Sequence, residues 1–122
     1  MPPTIHRSAF IKQLREQFPS VDSWLRGYRD NLTLEMMRFK QFTEDAVARA
    51  DWDTVRRAFQ FAHTVFQLGN RHVRNSIVVT YLEHLPLAGP SGETAKKLLP
   101  SELARERDRI ISYMESPANR RD

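Results

Sequence analysis

Apolar residues recur at helical spacing in every long segment of this chain, and that periodicity constrains its fold more than any other feature. In DWDTVRRAFQFAHTVFQLG, Trp52, Val55, Ala58, Phe59, Ala62, Val65 and Phe66 share one face at roughly 100° per residue. Phe61 and Leu68 lie off that face. A helix apolar on more than one side is central in its fold or offers a surface to a partner. Asp51 or Asp53 suits the N-cap, because a short carboxylate satisfies free backbone N–H groups and the helix dipole. Gly69 suits a left-handed position after the last turn.

The next stretch, NRHVRNSIVVTYLEHLPL, contains a β-branched run that invites a strand assignment. Period two fails, since neither alternating face is apolar. Period 3.6 succeeds: Val73, Ile77, Val78, Tyr81, Leu82 and Leu85 fall within one half-turn. The poor helix propensity of Ile77–Thr80 amounts to tenths of a kcal/mol per residue, which burial outweighs. The spacing therefore predicts a buried helix, capped at Asn70 and stopped at Pro86. Glu83 falls on its polar side and His84 at the edge of its apolar face. The two-residue link Gly69-Asn70 makes this helix an antiparallel neighbour of the preceding one.

The remaining segments follow the same rule. A first helix runs from Thr4 or Ser8 to Gln17, with Phe10, Ile11, Leu14 and Phe18 on one side and Pro19 as its stop. SVDSWLRGYRD is a short helix or a turn, with Trp24, Leu25 and Tyr28 as its buried side and Gly27 weakening it. Asn31 to Ala50 is a long helix whose Leu32, Met36, Phe39, Phe42, Ala46, Val47 and Ala50 make a core-facing stripe. Glu35 lies inside that stripe. Its carboxylate is either half of a buried ion pair or a perturbed functional group. PLAGPSGETAKK reads as a loop, with at most a helical turn from Glu93 to Leu99. Ser101 caps a last helix in which Leu103, Ile110, Ile111 and Met114 form a narrow stripe. The expected architecture is all-α, with about five helices in antiparallel hairpins, as a bundle or a short solenoid-like stack. Residues 1–116 form a single domain and 117–122 a loose tail.

Composition limits the function classes. With no cysteine, the chain has no disulfide, thiolate nucleophile or cysteine-based zinc site, which fits a cytoplasmic setting. MPPTIHRSAF carries no apolar signal region, and no apolar run reaches a membrane span. The formal charge of +4 is spread among interleaved acids and bases rather than gathered in a basic arm. Metal templates fail: LEHL puts the acid directly before the imidazole, and no two histidines stand at i, i+4. Hydrolase, P-loop and dinucleotide fingerprints are absent; AGPSGET could cradle a phosphate but lacks the P-loop ending and reads as a surface loop. His63 and His84 could meet across the helix pair, and with Glu83 would make a metal or acid–base cluster. The arginines at 56, 57, 71 and 74, with those at 26 and 29 beside Trp24 and Tyr28, could track phosphates. The helix–Gly-Asn–helix joint resembles a helix-turn-helix, but its Ile/Val-rich second helix reads as core rather than as a groove reader.

The run from Asp51 to Leu85 also resembles a family of small bacterial all-helical domains of no established activity. Their pattern is an acid-capped helix, a short Gly-Asn or Gly-Asp joint, and a helix ending in V-x-x-x-I-x-V-x-[YF]-L-E-x-L. Here Val73, Ile77, Val79, Tyr81, Leu82, Glu83 and Leu85 carry it, and LLPSEL is similar to a later joint. The resemblance covers the last two thirds of the chain. It implies a stand-alone domain with no cofactor or catalytic residue, and some members are regarded as immunity proteins paired with secreted toxins. By elimination the residues point to the same class, a non-catalytic protein-binding module, with a toxin or effector as partner. The expected contact residues are Arg56, Gln60, His63, Arg71, Glu83 and His84. The alternative is a small nucleic-acid-binding regulatory protein.

Overall fold

The computed structural model describes residues 4–25 and 31–115, with side chains to residue 113. Seven α-helices stand among the described residues rather than about five, and no strand does; the all-α expectation holds. They are α1 (Arg7–Gln17), α2 (Asp22–Leu25), α3 (Leu32–Ala48), α4 (Trp52–Leu68), α5 (Arg71–Ser76), α6 (Gly89–Leu98) and α7 (Ser101–Glu115). A 3₁₀ turn at Pro19–Val21 leads into α2, and a π-helical segment, Ile77–Leu82, continues α5. Gly27, Tyr28, the arginines at 26 and 29, the Met114 side chain and the tail 117–122 lie outside the described residues.

The core follows from the stripes. Phe10 and Leu14 of α1, Met36, Phe39 and Ala46 of α3, and Val55, Ala58, Phe59, Ala62 and Val65 of α4 are fully buried. Phe61, the ring off the main α4 face, is also buried, and that makes α4 central. It lies 6.0 Å from Phe10, 5.9 Å from Phe18 and 5.7 Å from Phe39. Phe39 and Phe61 stand equally far in sequence from Ala50, so their contact is the pairing of an antiparallel hairpin. Edge-to-face and offset ring contacts of this kind stabilise beyond the area they bury.

The α3–α4 joint is a Schellman turn. Ala50 takes φ 54°, its N–H donates to Val47 O at 3.0 Å, and the Asp51 N–H donates to Ala46 O at 2.9 Å. Asp51 then caps α4, accepting from the Thr54 N–H at 3.3 Å and the Thr54 hydroxyl at 2.8 Å. Those two bonds hold its carboxyl below the usual carboxylate range.

The expected fourth helix is capped at Asn70 as read, but it is not one α-helix to Pro86. Its β-branched run widens into the π segment, and the Glu83 N–H donates to Val78 O at 3.1 Å. In an α-helix Ile77, Tyr81 and Leu82 would spread over roughly 140°. A π turn of about 4.4 residues gathers them into about 80°. All three are fully buried. The Tyr81 ring stacks on Phe39 at 4.6 Å, and its hydroxyl meets Thr43 Oγ1 at 2.9 Å. Burial pushes the Tyr81 phenol well above its ordinary range, and the Thr43 hydrogen bond offsets this only in part. Packing across α3 and α7 thus overrides the regular α spacing.

Three further expectations change. Residues Gly89–Leu98 form a helix rather than a loop, so GPSGET is the first half of a helix and not a phosphate cradle. Pro90 suits that turn, where its missing N–H costs nothing, and Gly92 lies against the Leu87 backbone. Ser101 is the first residue of α7 rather than its cap. Glu35 is the buried ion pair: Arg7 Nε and an Arg7 terminal nitrogen each donate to one of its carboxylate oxygens at 2.8 Å. This pair ties α1 to α3.

Candidate functional site: an arginine-lined groove

The α4–α5 joint positions the site. Gly69 adopts φ −65° and ψ 149°, an extended conformation open to any residue, so the left-handed expectation is wrong. Glycine is required there by closeness instead: a Cβ would stand 2.5 Å from Val65 O and 3.1 Å from Val73 Cγ1. A strap from the N-terminal side braces the joint. The Ile5 N–H donates to Leu68 O, and the Asn70 N–H donates to Ile5 O, both at 2.8 Å. The Asn70 side chain accepts from the Val73 N–H at 2.9 Å and starts α5.

Beside this joint an open groove of about 390 Å³ lies between α4, α5 and α7. Arg71, Arg74, Asn75, Glu106 and Arg109 line it, with Phe66 and Val78 as its apolar part. The Arg74 guanidinium lies 4.8 Å over the Phe66 ring, a cation–π contact that fixes its plane. Glu106 pairs with Arg109 one turn along α7. Neither Arg71 nor Arg74 forms an ion pair among the described residues. The groove therefore carries positive charge unmatched from within and can hold an anionic group.

The six residues expected at an interface do not converge on one place. Arg56, Gln60 and His63 share a face of α4, the first two exposed. His63 Nε2 meets Glu102 Oε1 of α7 at 2.8 Å, and Gln67 Nε2 donates to the same oxygen at 3.4 Å. His63 thus spans to α7 rather than to His84, and no group of three His, Asp or Glu able to hold a metal exists among the described residues. His84 is exposed, and Glu83 is half-buried. Only Arg71 of the six lines the groove. Asn75, Glu106 and Arg109 escape a helix-by-helix reading; the signal was the i, i+3 spacing of Arg71 and Arg74 just after the joint.

A family profile matches residues 11–115. The chain belongs to the DUF7674 family, a domain of unknown function. The match extends beyond the Asp51–Leu85 run that carries the resemblance, taking in most of α1 and all of α3. No curated protein and no solved structure matches significantly. No helix among the described residues is long and apolar enough to cross a membrane.

Proposed function

We propose that this DUF7674 domain is a non-catalytic protein-binding module, acting in the cytoplasm as the neutralising partner of a bacterial toxin. The observation that carries the binding reading is the groove at the α4–α5 joint, where Arg71 and Arg74 find no acidic partner among the described residues. It stands on a joint closed by main-chain hydrogen bonds and a tightly packed glycine, so a partner meets preformed geometry and little ordering is required on binding. The toxin role rests on the family resemblance of the Asp51–Leu85 run. Such a protein works by occupying or distorting its target's active site, which needs shape and charge rather than chemistry.

The test is co-expression with the product of the adjacent gene. A stable complex on size-exclusion chromatography, together with rescue of cells from that product, supports the proposal. A harmless neighbour that forms no complex removes the toxin role. The nucleic-acid reading gains less from the geometry, because the unmatched arginines gather at one point rather than along a track.

A further inference from the structure

We infer that the groove clamps two carboxylates of an acidic segment of the partner protein, and that Glu106 is the internal acid such a segment displaces from Arg109. The inference rests on the protein-binding reading and supplies the chemistry of the partner.

Among the described residues three guanidinium groups and one carboxylate line the groove, so two positive charges are left over. Two carboxylates match that excess. The three cations are not equivalent. Arg74 is oriented by Phe66, and Gly69 lets its stem cross the joint: a Cβ there would stand 3.3 Å from Arg74 Cγ. A guanidinium stacked in this way keeps its N–H edge free for a planar, two-pronged acceptor. Arg71, one turn earlier, is exposed and forms no ion pair among the described residues. Arg109 is also largely exposed, with 76% of its side chain open against 22% for Glu106. It can therefore turn to an incoming acid while Glu106 stays in place. Val78 is half-buried and offers apolar surface to the methylene groups of a glutamate.

A nucleic-acid strand fits less well. Single strands bind by stacking bases on exposed rings. Phe66, the one ring lining this groove among the described residues, is buried and covered by Arg74.

The experiment uses the full chain and reads the arginine Nε–H resonances in solution. The probes are acetyl-Glu-Glu-amide, acetyl-Gln-Gln-amide, inorganic phosphate and a short oligothymidylate, all at one ionic strength. The glutamate peptide should shift Arg71, Arg74 and Arg109 saturably, and the glutamine peptide should not. Arg71→Gln and Arg74→Gln should each weaken the glutamate peptide roughly tenfold, the effect of one charge-assisted contact. Glu106→Gln should tighten it several-fold, since it frees Arg109 and removes a repelling charge. A purely structural Glu106 would not produce that gain.

The inference is overturned if the glutamate peptide gives no saturable shift, or if Glu106→Gln weakens binding. It is overturned equally if phosphate matches the peptide, which marks a general anion site, or if oligothymidylate binds more tightly, which marks a nucleic-acid site. The two proposals fail separately. A partner complex indifferent to Arg71→Gln and Arg74→Gln leaves the module and removes the clamp. Peptide binding without a neighbouring toxin leaves the clamp and removes the toxin role.

Discussion

The two joints flanking α4 invert the usual placement of glycine. At the α3–α4 joint an alanine, Ala50, takes the left-handed conformation that glycine favours. At the α4–α5 joint a glycine, Gly69, takes an ordinary extended one. The first joint needs a particular backbone angle and tolerates strain to reach it. The second needs empty space, because the Val65 carbonyl oxygen stands 2.5 Å from where a Cβ would be. The first is held by its own Schellman bonds and the Asp51 cap; the second is braced from outside by Ile5. Only the braced joint borders the groove.

The largest expected effect breaks the brace from its far end. Arg7, two residues after Ile5, anchors the strap to α3 through Glu35. Arg7→Met leaves a buried carboxylate without its cation and should cost about 3 kcal/mol, the low end for a broken buried pair because Arg7 keeps partial exposure. Chemical denaturation reads this directly. Adding Glu35→Met should restore stability to within about 1 kcal/mol of the parent.

Gly69→Ala comes next. A methyl pressed against a backbone carbonyl should destabilise by about 2 kcal/mol. It should also shift the Arg71 and Arg74 resonances, since relief requires the joint to open. Ala50→Gly runs the other way and should stabilise by about 1 kcal/mol by removing left-handed strain. If Ala50→Gly destabilises, strain is not what distinguishes the two joints.

Acid sharpens the contrast at the first joint. The Asp51 carboxyl titrates below its ordinary value in the folded chain because Thr54 bonds its charged form. Its stabilising contribution is therefore present above the ordinary carboxylate range and is lost as pH falls through the folded value. Asp51→Asn should flatten that part of the stability profile, as followed by denaturation midpoints across acidic pH. The smallest effect belongs to the groove: Arg71→Gln should alter stability by less than about 0.5 kcal/mol, because the exposed guanidinium makes no ion pair among the described residues.

Much of this fold is legible in sequence because burial and period coincide. The stripes of α3 and α4, the Asn70 cap and the Asp51 cap emerge from local rules, except that Ala50, expected in the α3 stripe, is exposed in the turn beyond the helix. Gly69 misleads, since glycine signals either a positive angle or a close approach, and the sequence does not say which. GPSGET misleads because its proline and glycines read as breakers, while a helix start accepts the proline and packing on Leu87 requires Gly92. The π segment escapes because its cause lies on α3 and α7, not in its own spacing. The groove is the least legible feature. Arg71 and Arg74 are visible as a pair, but Glu106 and Arg109 join them only through the way α7 packs, and His63 is drawn to Glu102 by the same packing.

The wide turn from Ile77 to Leu82 has a consequence for chain length. Each of its hydrogen bonds spans one more residue than an α-helix requires, so the segment holds a surplus residue in store. Deleting Val79, half-buried and one residue past Val78, would let the backbone close into regular α-helix with the ends of the segment nearly where they are. At this point a one-residue shortening of the chain can be absorbed with α5 on one side and the α6–α7 pair on the other both left in place.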